Sequence, residues 1–285
     1  MPSLLFECFS EEIPARMQAR AVQDLQRLFE EAMQAEGLAH GTLTTYVTPR
    51  RLALACADIA ASQPGSATEK KGPRVGAPQA AIDGFSKSAG VAVPALERRM
   101  VGKEECFYAV IERKGRNTPE VLKPLFEKIL AQFPWPKSMR WGSNQKSWVR
   151  PLHSLLCVFG GEVVPVAFAG VTASNITYGH RFLAPGAITV NTPEDYAPKL
   201  KKAYVLADRE ERKAEIVKST GALAASQNLR VKPDQGLLEE VTGLVEWPNP
   251  LMGTIDDAFM DLPPEVLTSE MRAHQKYFAL LPQAQ

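Results

Sequence analysis

Cysteine and histidine are scarce, four of each in 285 residues, and neither charge predominates, with 33 basic and 32 acidic side chains giving a net of +1. Cys8, Cys56, Cys106 and Cys157 lie far apart, mostly in apolar stretches such as LLFECF and LLCVF. No pair has the spacing of zinc ligands, so they read as buried free thiols of a protein in a reducing compartment. His40, His153, His180 and His274 are isolated from one another. A net charge near zero excludes a protein that coats nucleic acid indiscriminately, while leaving room for a local basic face. No apolar run approaches the ~20 residues needed to span a bilayer. The start, MPSLLFECFSEEIP, lacks the cationic first segment of a signal peptide; a cytoplasmic setting is the expectation. Also missing are a phosphate-binding glycine loop of either common spacing and a GxSxG nucleophile elbow. Gly72-Pro73-Arg74-Val75-Gly76 has the glycines but no following Lys-Ser/Thr. The paired acids Glu11-Glu12, Glu210-Glu211 and Glu239-Glu240 suit helix starts and helix surfaces, where carboxylates complement the dipole or stay solvated. No catalytic constellation emerges.

What is present is an ordinary globular composition, 45% hydrophobic and 23% charged, too apolar for a disordered chain. The length suggests about two domains, divided here as an N-terminal α/β region, 1–135, and a β-rich α+β region, 136–285. Leu4 to Phe9 reads as a strand and Pro14 as the first residue of a helix carrying Met17, Ala21, Leu25, Leu28, Ala32 and Ala35 at helical spacing, with Gly37 beyond its end. Thr42–Thr48 and Leu52–Ile59 read as strands around the turn TPRR. Ser62–Pro78, with three Pro and three Gly, reads as a loop, followed by a helix over Gln79–Gly90 and a strand over Cys106–Glu112. Thr118 is the expected cap of a helix running to about Gln132. HSLLCVF, Gly160-Gly161 and EVVPVAF have the pattern of a hairpin. Strands are expected near Ile176–Phe182 and Ala187–Val190, helices from Thr192-Pro193 and from the cap Asp208 and over Leu237–Val241, and short strands at LVEW, PLMG and QKYF. The irregular mixture points to an α+β fold with mixed, mostly antiparallel sheets and packed helices.

One stretch departs from the average. Between Pro134 and Pro151 the sequence PWPKSMRWGSNQKSWVRP carries Lys137, Arg140, Lys146 and Arg150 with no acid, interleaved with three of the four Trp: Trp135, Trp141 and Trp148. Gly142–Asn144 suits a turn, so the two arms can form a hairpin-like platform. Cations for phosphates beside rings for bases are the ingredients of a nucleic-acid surface. The other reading has the rings capping a core and the cations keeping the surface wet or stacked on the rings. Arg50-Arg51 in TPRR and His180-Arg181 in YGHRF are weaker candidates. Trp247, held extended before Pro248, reads as a core ring.

The motifs converge on a known family. LLFECFSEEIPARM, TPRRLAL, KKGPRVG, SMRWG, VRPLHSLL, YGHRFL, VLADREERK, LLEEVTGLVEWPNPLMG and FMDLPPEVLTSEMRAHQKYF follow one another in an order that resembles the β subunit of the bacterial heterotetrameric glycyl-tRNA synthetase. The resemblance runs the whole length. It departs at CFSEEIP, where the family has a Gly-Thr-Glu-Glu-Leu-Pro type of sequence, and the family's β subunit is much longer, which leads us to expect an N-terminal fragment. The resemblance implies part of an ATP- and Mg-using ligase of two α and two β subunits. In it the α subunit holds the adenylate site, and the β subunit aids binding of glycine tRNA and its charging. This chain would then hold no cofactor and meet no membrane and no DNA. The tRNA-binding candidates are Arg50, Arg51, Lys70, Lys71, Arg74, Arg140, Trp141, Lys146, Arg150, His180 and Arg181. The resemblance also implies a partial likeness to the editing-type domain of the phenylalanyl-tRNA synthetase β subunit. Glycine is the smallest amino acid and its larger competitors are excluded sterically, so a hydrolytic use of that domain is not expected. The alternatives are docking of the α subunit without RNA contact, or an independent editing hydrolase.

Overall fold

A computed structural model describes residues 1–102, 104–113 and 115–283. Its centre is an antiparallel sheet in the order β2-β3-β1-β7-β8, formed by β1 (Leu4–Ser10), β2 (Leu43–Val47), β3 (Arg51–Cys56), β7 (Leu152–Phe159) and β8 (Glu162–Val163). Every residue of β1 is buried, because successive side chains enter opposite faces of the sheet and both faces are covered. Leu4, Phe6 and Cys8 meet α1 (Ala15–Ala35) and α3 (Thr118–Ala131), which supply Met17, Ala21, Leu25, Phe29 and Met33, and Leu122, Leu125 and Phe126. The Phe126 ring stacks on Phe6 at 4.0 Å and also lies against Phe29. Leu5, with Ala53, Ala55, Leu156 and Val158, meets the opposite layer, which brings Val190, Tyr196, Leu200 and Val205. That layer holds β11 (Ile176–Tyr178), β12 (Ala187–Thr189) and α4 (Pro193–Lys202). The sheet therefore joins strands from both sides of residue 135.

Between β3 and α3 the chain leaves the sheet and returns. This excursion builds a three-stranded antiparallel sheet in the order β4-β6-β5 from β4 (Ser66–Arg74), β5 (Glu97–Val101) and β6 (Glu104–Arg113), with α2 (Gln79–Ala89) on one face. It has its own apolar cluster of Ile82, Ala89, Leu96, Phe107 and Ala109. Its ends meet at the Ser62–Asn117 bridge. Beyond the main layers come β9 (Ala167–Phe168) paired with β10 (Val171–Thr172), α5 (Arg209–Ala225), β13 (Leu229–Val231), α6 (Gln235–Thr242), α7 (Pro264–Glu270) and β14 (Leu280–Pro282), which pairs with β13. The fold is mixed α+β, and among the described residues no helix is long and apolar enough to cross a membrane.

Local chemistry explains most of these elements. Gly37 takes φ +66°, and Leu38 N–H donates back to the Met33 carbonyl at 3.0 Å, closing α1. Gly160 and Gly161 both have positive φ, as a two-residue hairpin turn requires. Asp208 and Asp234 cap α5 and α6 by accepting from Glu211 N at 2.8 Å and Leu237 N at 2.9 Å.

Several expectations are corrected. The stretch Ser62–Pro78 is no loop but contains β4, whose pairing with β6 is irregular between Lys71 and Arg74, where Gly72-Pro73 falls. Pro14 caps α1 and does not start it. Asn117 precedes α3, and the Thr118 hydroxyl instead donates to the Ala60 carbonyl at 2.5 Å. The arm after Gly161 stops at Val163, since Pro165 has no N–H to continue a ladder. The strand from Ile176 ends at Tyr178, and LVEW, PLMG and QKYF are not strands.

Replacing Phe126 by Ala empties the ring stack at the core and is expected to cost ~3–5 kcal/mol. Asp208→Ala removes one helix cap and is expected to cost about 1 kcal/mol. Chemical denaturation midpoints of the two variants check both values and their order.

Candidate nucleic-acid interface

The TPRR turn sends its two arginines to different places. Thr48 N–H donates to the Arg51 carbonyl at 3.0 Å and the Thr48 hydroxyl accepts from Arg50 N at 3.1 Å, which fixes the turn. Arg51 becomes the first residue of β3, opposite Phe9, on the face of the sheet that also carries Glu7. Its side chain is 0% exposed. The guanidinium donates to the Glu246 carboxylate and to the Tyr178 carbonyl, and its Nε lies 3.4 Å from Glu7. Glu7 also accepts from the Thr177 hydroxyl at 2.6 Å and from the Tyr196 hydroxyl, and Glu246 from the Thr48 hydroxyl at 2.7 Å. Burial raises the Glu7 pKa above its ordinary value, with Arg51 opposing and Glu246 adding to the rise. Arg51 is pulled down by burial but shifted upward on balance by Glu246 and Glu7. Arg51 is thus withdrawn from solvent and cannot meet a phosphate, contrary to its place among the surface candidates.

Arg50 stays at the rim. It lies over the Phe9 ring at 4.4 Å, donates from Nε to the Ser10 carbonyl at 3.2 Å and sits 3.8 Å from Glu11. Arg181 pairs with Glu11 and with Glu12 at 3.4 Å, and His153 Nε2 is 2.7 Å from Glu11. Glu11 is correspondingly held below the usual carboxylate range, first by the His153 hydrogen bond and further by Arg181 and Arg50. His180 Nδ1 accepts from Phe182 N at 3.3 Å and Leu183 N at 3.2 Å, so it caps its own turn. Burial lowers its pKa. Arg50, Arg181 and His153 are brought together, but by a shared carboxylate.

Lys70, Lys71 and Arg74 lie exposed on β4 of the smaller sheet, where Arg74 pairs with Glu104 at 2.6 Å. Lys70 faces Ala109 in the ladder and Lys71 faces Tyr108, so the two lysines point to opposite faces.

The acid-free stretch has a defined shape. Met139 and Trp148 exchange backbone hydrogen bonds of 2.8 and 3.1 Å, which closes a hairpin-like loop. Gly142 takes φ +57° and Asn144 N–H returns to the Trp141 carbonyl at 3.2 Å. The Asn144 side chain donates to the Ala169 carbonyl in the β9–β10 turn and anchors the tip. The rings do not form the expected platform. Trp148 is 1% exposed and packs edge-on against Trp135 at 5.1 Å and against Phe168 at 5.9 Å. Trp135 and Trp141 are half-buried against the same core. Arg140 and Lys146 remain exposed, and Lys146 reaches a shallow groove lined by Glu127, Ala131 and residues 167–172. Arg150 is half-buried, with NH1 donating to the Val149 carbonyl at 2.7 Å. Among the described residues, no group of three metal-ligating side chains stands together.

A family model described as glycyl-tRNA synthetase beta subunit matches residues 4–285. The chain belongs to that family. It is 48% identical to the glycine–tRNA ligase beta subunit of Paracoccus denitrificans over 98% of its own length and 41% of that protein. The corresponding protein of Dinoroseobacter shibae is 49% identical over 98% of the chain and 39% of the relative. That of Rhodospirillum centenum is 46% identical over 98% and 43%. The chain therefore spans about two-fifths of the length of these relatives.

Sequence reasoning passed over Glu7, Thr177, Tyr196 and Glu246, and also Arg212. The signal for Glu7 was available: an acid in the middle of LLFECFS, a strand apolar on both faces, demands a buried cation. Arg212 is 0% exposed and, among the described residues, its hydrogen bonds go to backbone carbonyls and to no carboxylate. Its nitrogens donate to the carbonyls of Thr242 at 2.9 Å, Leu206 at 2.5 Å and Val47 at 2.8 Å. Desolvation brings its pKa down to about 10.

Glu246→Ala leaves Arg51 with a partner lost in a dry site and is expected to cost about 3–5 kcal/mol, read as a shift of the denaturation midpoint. Because the folded Glu7 pKa lies above its ordinary 4.5, the folded chain binds that proton more tightly than the unfolded chain. Its contribution to stability therefore falls as pH rises from about 4.5 through the folded pKa. Glu239 is the opposite case, held near 2 by Lys213 and Arg209. Its contribution is present above 4.5 and is lost as pH falls toward 2. Stability measured from pH 2 to 8 should show a shallower acid limb in Glu239→Gln and a shallower decline above 4.5 in Glu7→Gln.

Proposed function

We propose that this chain is a tRNA-handling and assembly part of a glycine–tRNA ligase, with no adenylate chemistry of its own. The observation that carries the reading is the segment 134–151. Its cations Lys137, Arg140 and Lys146 are exposed on an anchored loop and form no ion pair among the described residues. Elsewhere Arg99, Arg116, Arg181 and Arg209 are held by carboxylates, while Lys70, Lys71 and Lys87 are exposed without an ion pair among the described residues; what sets segment 134–151 apart is that it carries no acid at all. On this reading the α subunit binds glycine and, with Mg, ATP, and two α and two β subunits assemble in the cytoplasm. That its relatives are ligase beta subunits supports the assignment. The likeness to an editing-type domain is treated as an inherited scaffold that does not hydrolyse mischarged tRNA.

A second reading, a docking module for the α subunit without RNA contact, draws on a different surface. Leu251, Phe259, Met260 and Val266 are exposed, Leu251 by 86%, among Asp256, Asp257, Asp261 and Glu265. That exposed stretch, both apolar and acidic, would repel RNA and suit a protein.

Filter binding of glycine tRNA and pull-down of the α subunit separate the readings, and glycine-dependent ATP–pyrophosphate exchange checks the absence of adenylate chemistry. The chain is expected to retain glycine tRNA at low salt and to support no exchange alone. Capture of the α subunit with no retention of tRNA would establish the second reading in its place.

A further inference from the structure

We propose that the arm from Pro248 to Glu270 is one half of an interface within the family's own polypeptide. Its occupant is an apolar surface rimmed by lysine and arginine, carried by the three-fifths of the longer relatives that this chain does not span. The inference goes beyond the tRNA reading, and it gives the surface of the second reading an occupant other than the α subunit. Both ends of the arm are rooted. Before it, Leu206 N–H donates to the Glu246 carbonyl at 2.9 Å and Trp247 meets Tyr204 edge-on at 5.4 Å. After it, Arg272 pairs with Asp234 at 2.5 Å and Lys276 with Glu240 at 3.0 Å, and β14 joins β13. Between these anchors the arm is held by local bonds. Its described hydrogen bonds, such as Ala258 N–H to the Asp256 carboxylate at 2.9 Å, stay within the arm. No residue from Leu251 to Gln275 is buried.

Such an arm is costly to leave bare. Leu251, Phe259, Met260 and Val266 are each more than half exposed, close together in sequence. A soluble protein rarely shows so many large apolar side chains together unless something covers them. Asp256, Asp257, Asp261, Glu265 and Glu270 lie among them, and the arm carries no lysine or arginine. An acidic surface would be repelled, so the complementary rim is basic. Two copies pairing arm to arm would set acid against acid. Extent points to the same polypeptide. The family match includes the arm. The Paracoccus denitrificans and Dinoroseobacter shibae proteins align with 98% of this chain, yet the chain spans only 41% and 39% of them. A surface on the same polypeptide meets the arm at an effective concentration on the order of millimolar. A separate chain must be met by diffusion, and until then the apolar side chains stay in water.

Hydrogen exchange read by mass spectrometry tests this, on the present chain and on the full-length Paracoccus denitrificans beta subunit with no α subunit present. In this chain the amides of residues 251–270 should exchange close to the rate of an unfolded peptide, since α7 is too short to be stable by itself. The matching segment of the longer protein should exchange roughly 100-fold more slowly or better. In this chain L251S/F259S/M260S should keep the denaturation midpoint. A lowered midpoint would show that the arm packs on the chain itself and would overturn the proposal. Free exchange in the longer protein would also overturn it, and slowing of that exchange on adding the α subunit would give the arm to the α subunit. Protection in this chain that grows with its concentration would give the arm to a second copy instead. None of these outcomes depends on retention of tRNA by filter binding, so the tRNA reading fails or stands separately.

Discussion

Two carboxylates and one guanidinium, shut away from water, tie together parts of the chain that are far apart in sequence. Glu7 comes from the first strand, Arg51 from the third, Glu246 from a turn near residue 246, and Thr177 and Tyr196 from the layer above the sheet. A buried charge is costly unless it is paired and hydrogen-bonded. Removing any one partner leaves the others exposed to that cost, so the layers must close in register or not at all. Such a cluster is a device for specifying one arrangement and is a weak source of net stability. Arg212 extends the same logic with backbone carbonyls, joining the end of β2 to the end of α6 and the start of α5.

Around this lock the apolar layers do the bulk of the stabilising. The sheet is sandwiched by α1 and α3 on one side and by α4 and its neighbours on the other. The acid-free loop is pinned at the edge of the first layer, its Trp rings serving as part of the core's rim. The charged cluster lies on the other face of the sheet, where Thr177 and Tyr196 of the second layer close over Glu7. The interior there is filled by the pairing itself, and what faces solvent is a set of cations held at fixed positions.

Much of the fold was legible in the residues. The apolarity of LLFECFS, the stripe of α1 through Met17, Ala21 and Leu25, the double glycine after β7 and the caps at Gly37 and Asp208 each have a local cause, and each appears where expected; further along α1 the buried face runs through Phe29 and Met33 while Ala35 is exposed. Failures arose where the cause was not local. Gly72-Pro73 looked like a loop, but pairing of Lys70 and Lys71 with β6 overrides its breakers. Arg50 and Arg51 are neighbours with the same side chain, and only the strand register sends one inward and the other to the rim. The Trp rings of 135–148 have a composition that fits either a stacking surface or a core cap; the contacts of Phe133 and of Phe168, which comes from twenty residues further on, decide it. The family resemblance was readable because motif order survives such ambiguities.

The central strand pairs on one side with β3, only some forty residues later, and on the other with β7, whose first residue is 152. A ribosome elongating at about 5–20 residues per second separates the emergence of those two partners by roughly 5–20 seconds. During that interval an apolar strand edge stands open, in the state in which strands recruit foreign strands. The α1 helix and the β2–β3 pair form from nearby sequence in the meantime and can shelter one face, but not the edge. The order of synthesis therefore makes the nascent chain, more than the finished one, the species most in need of a chaperone.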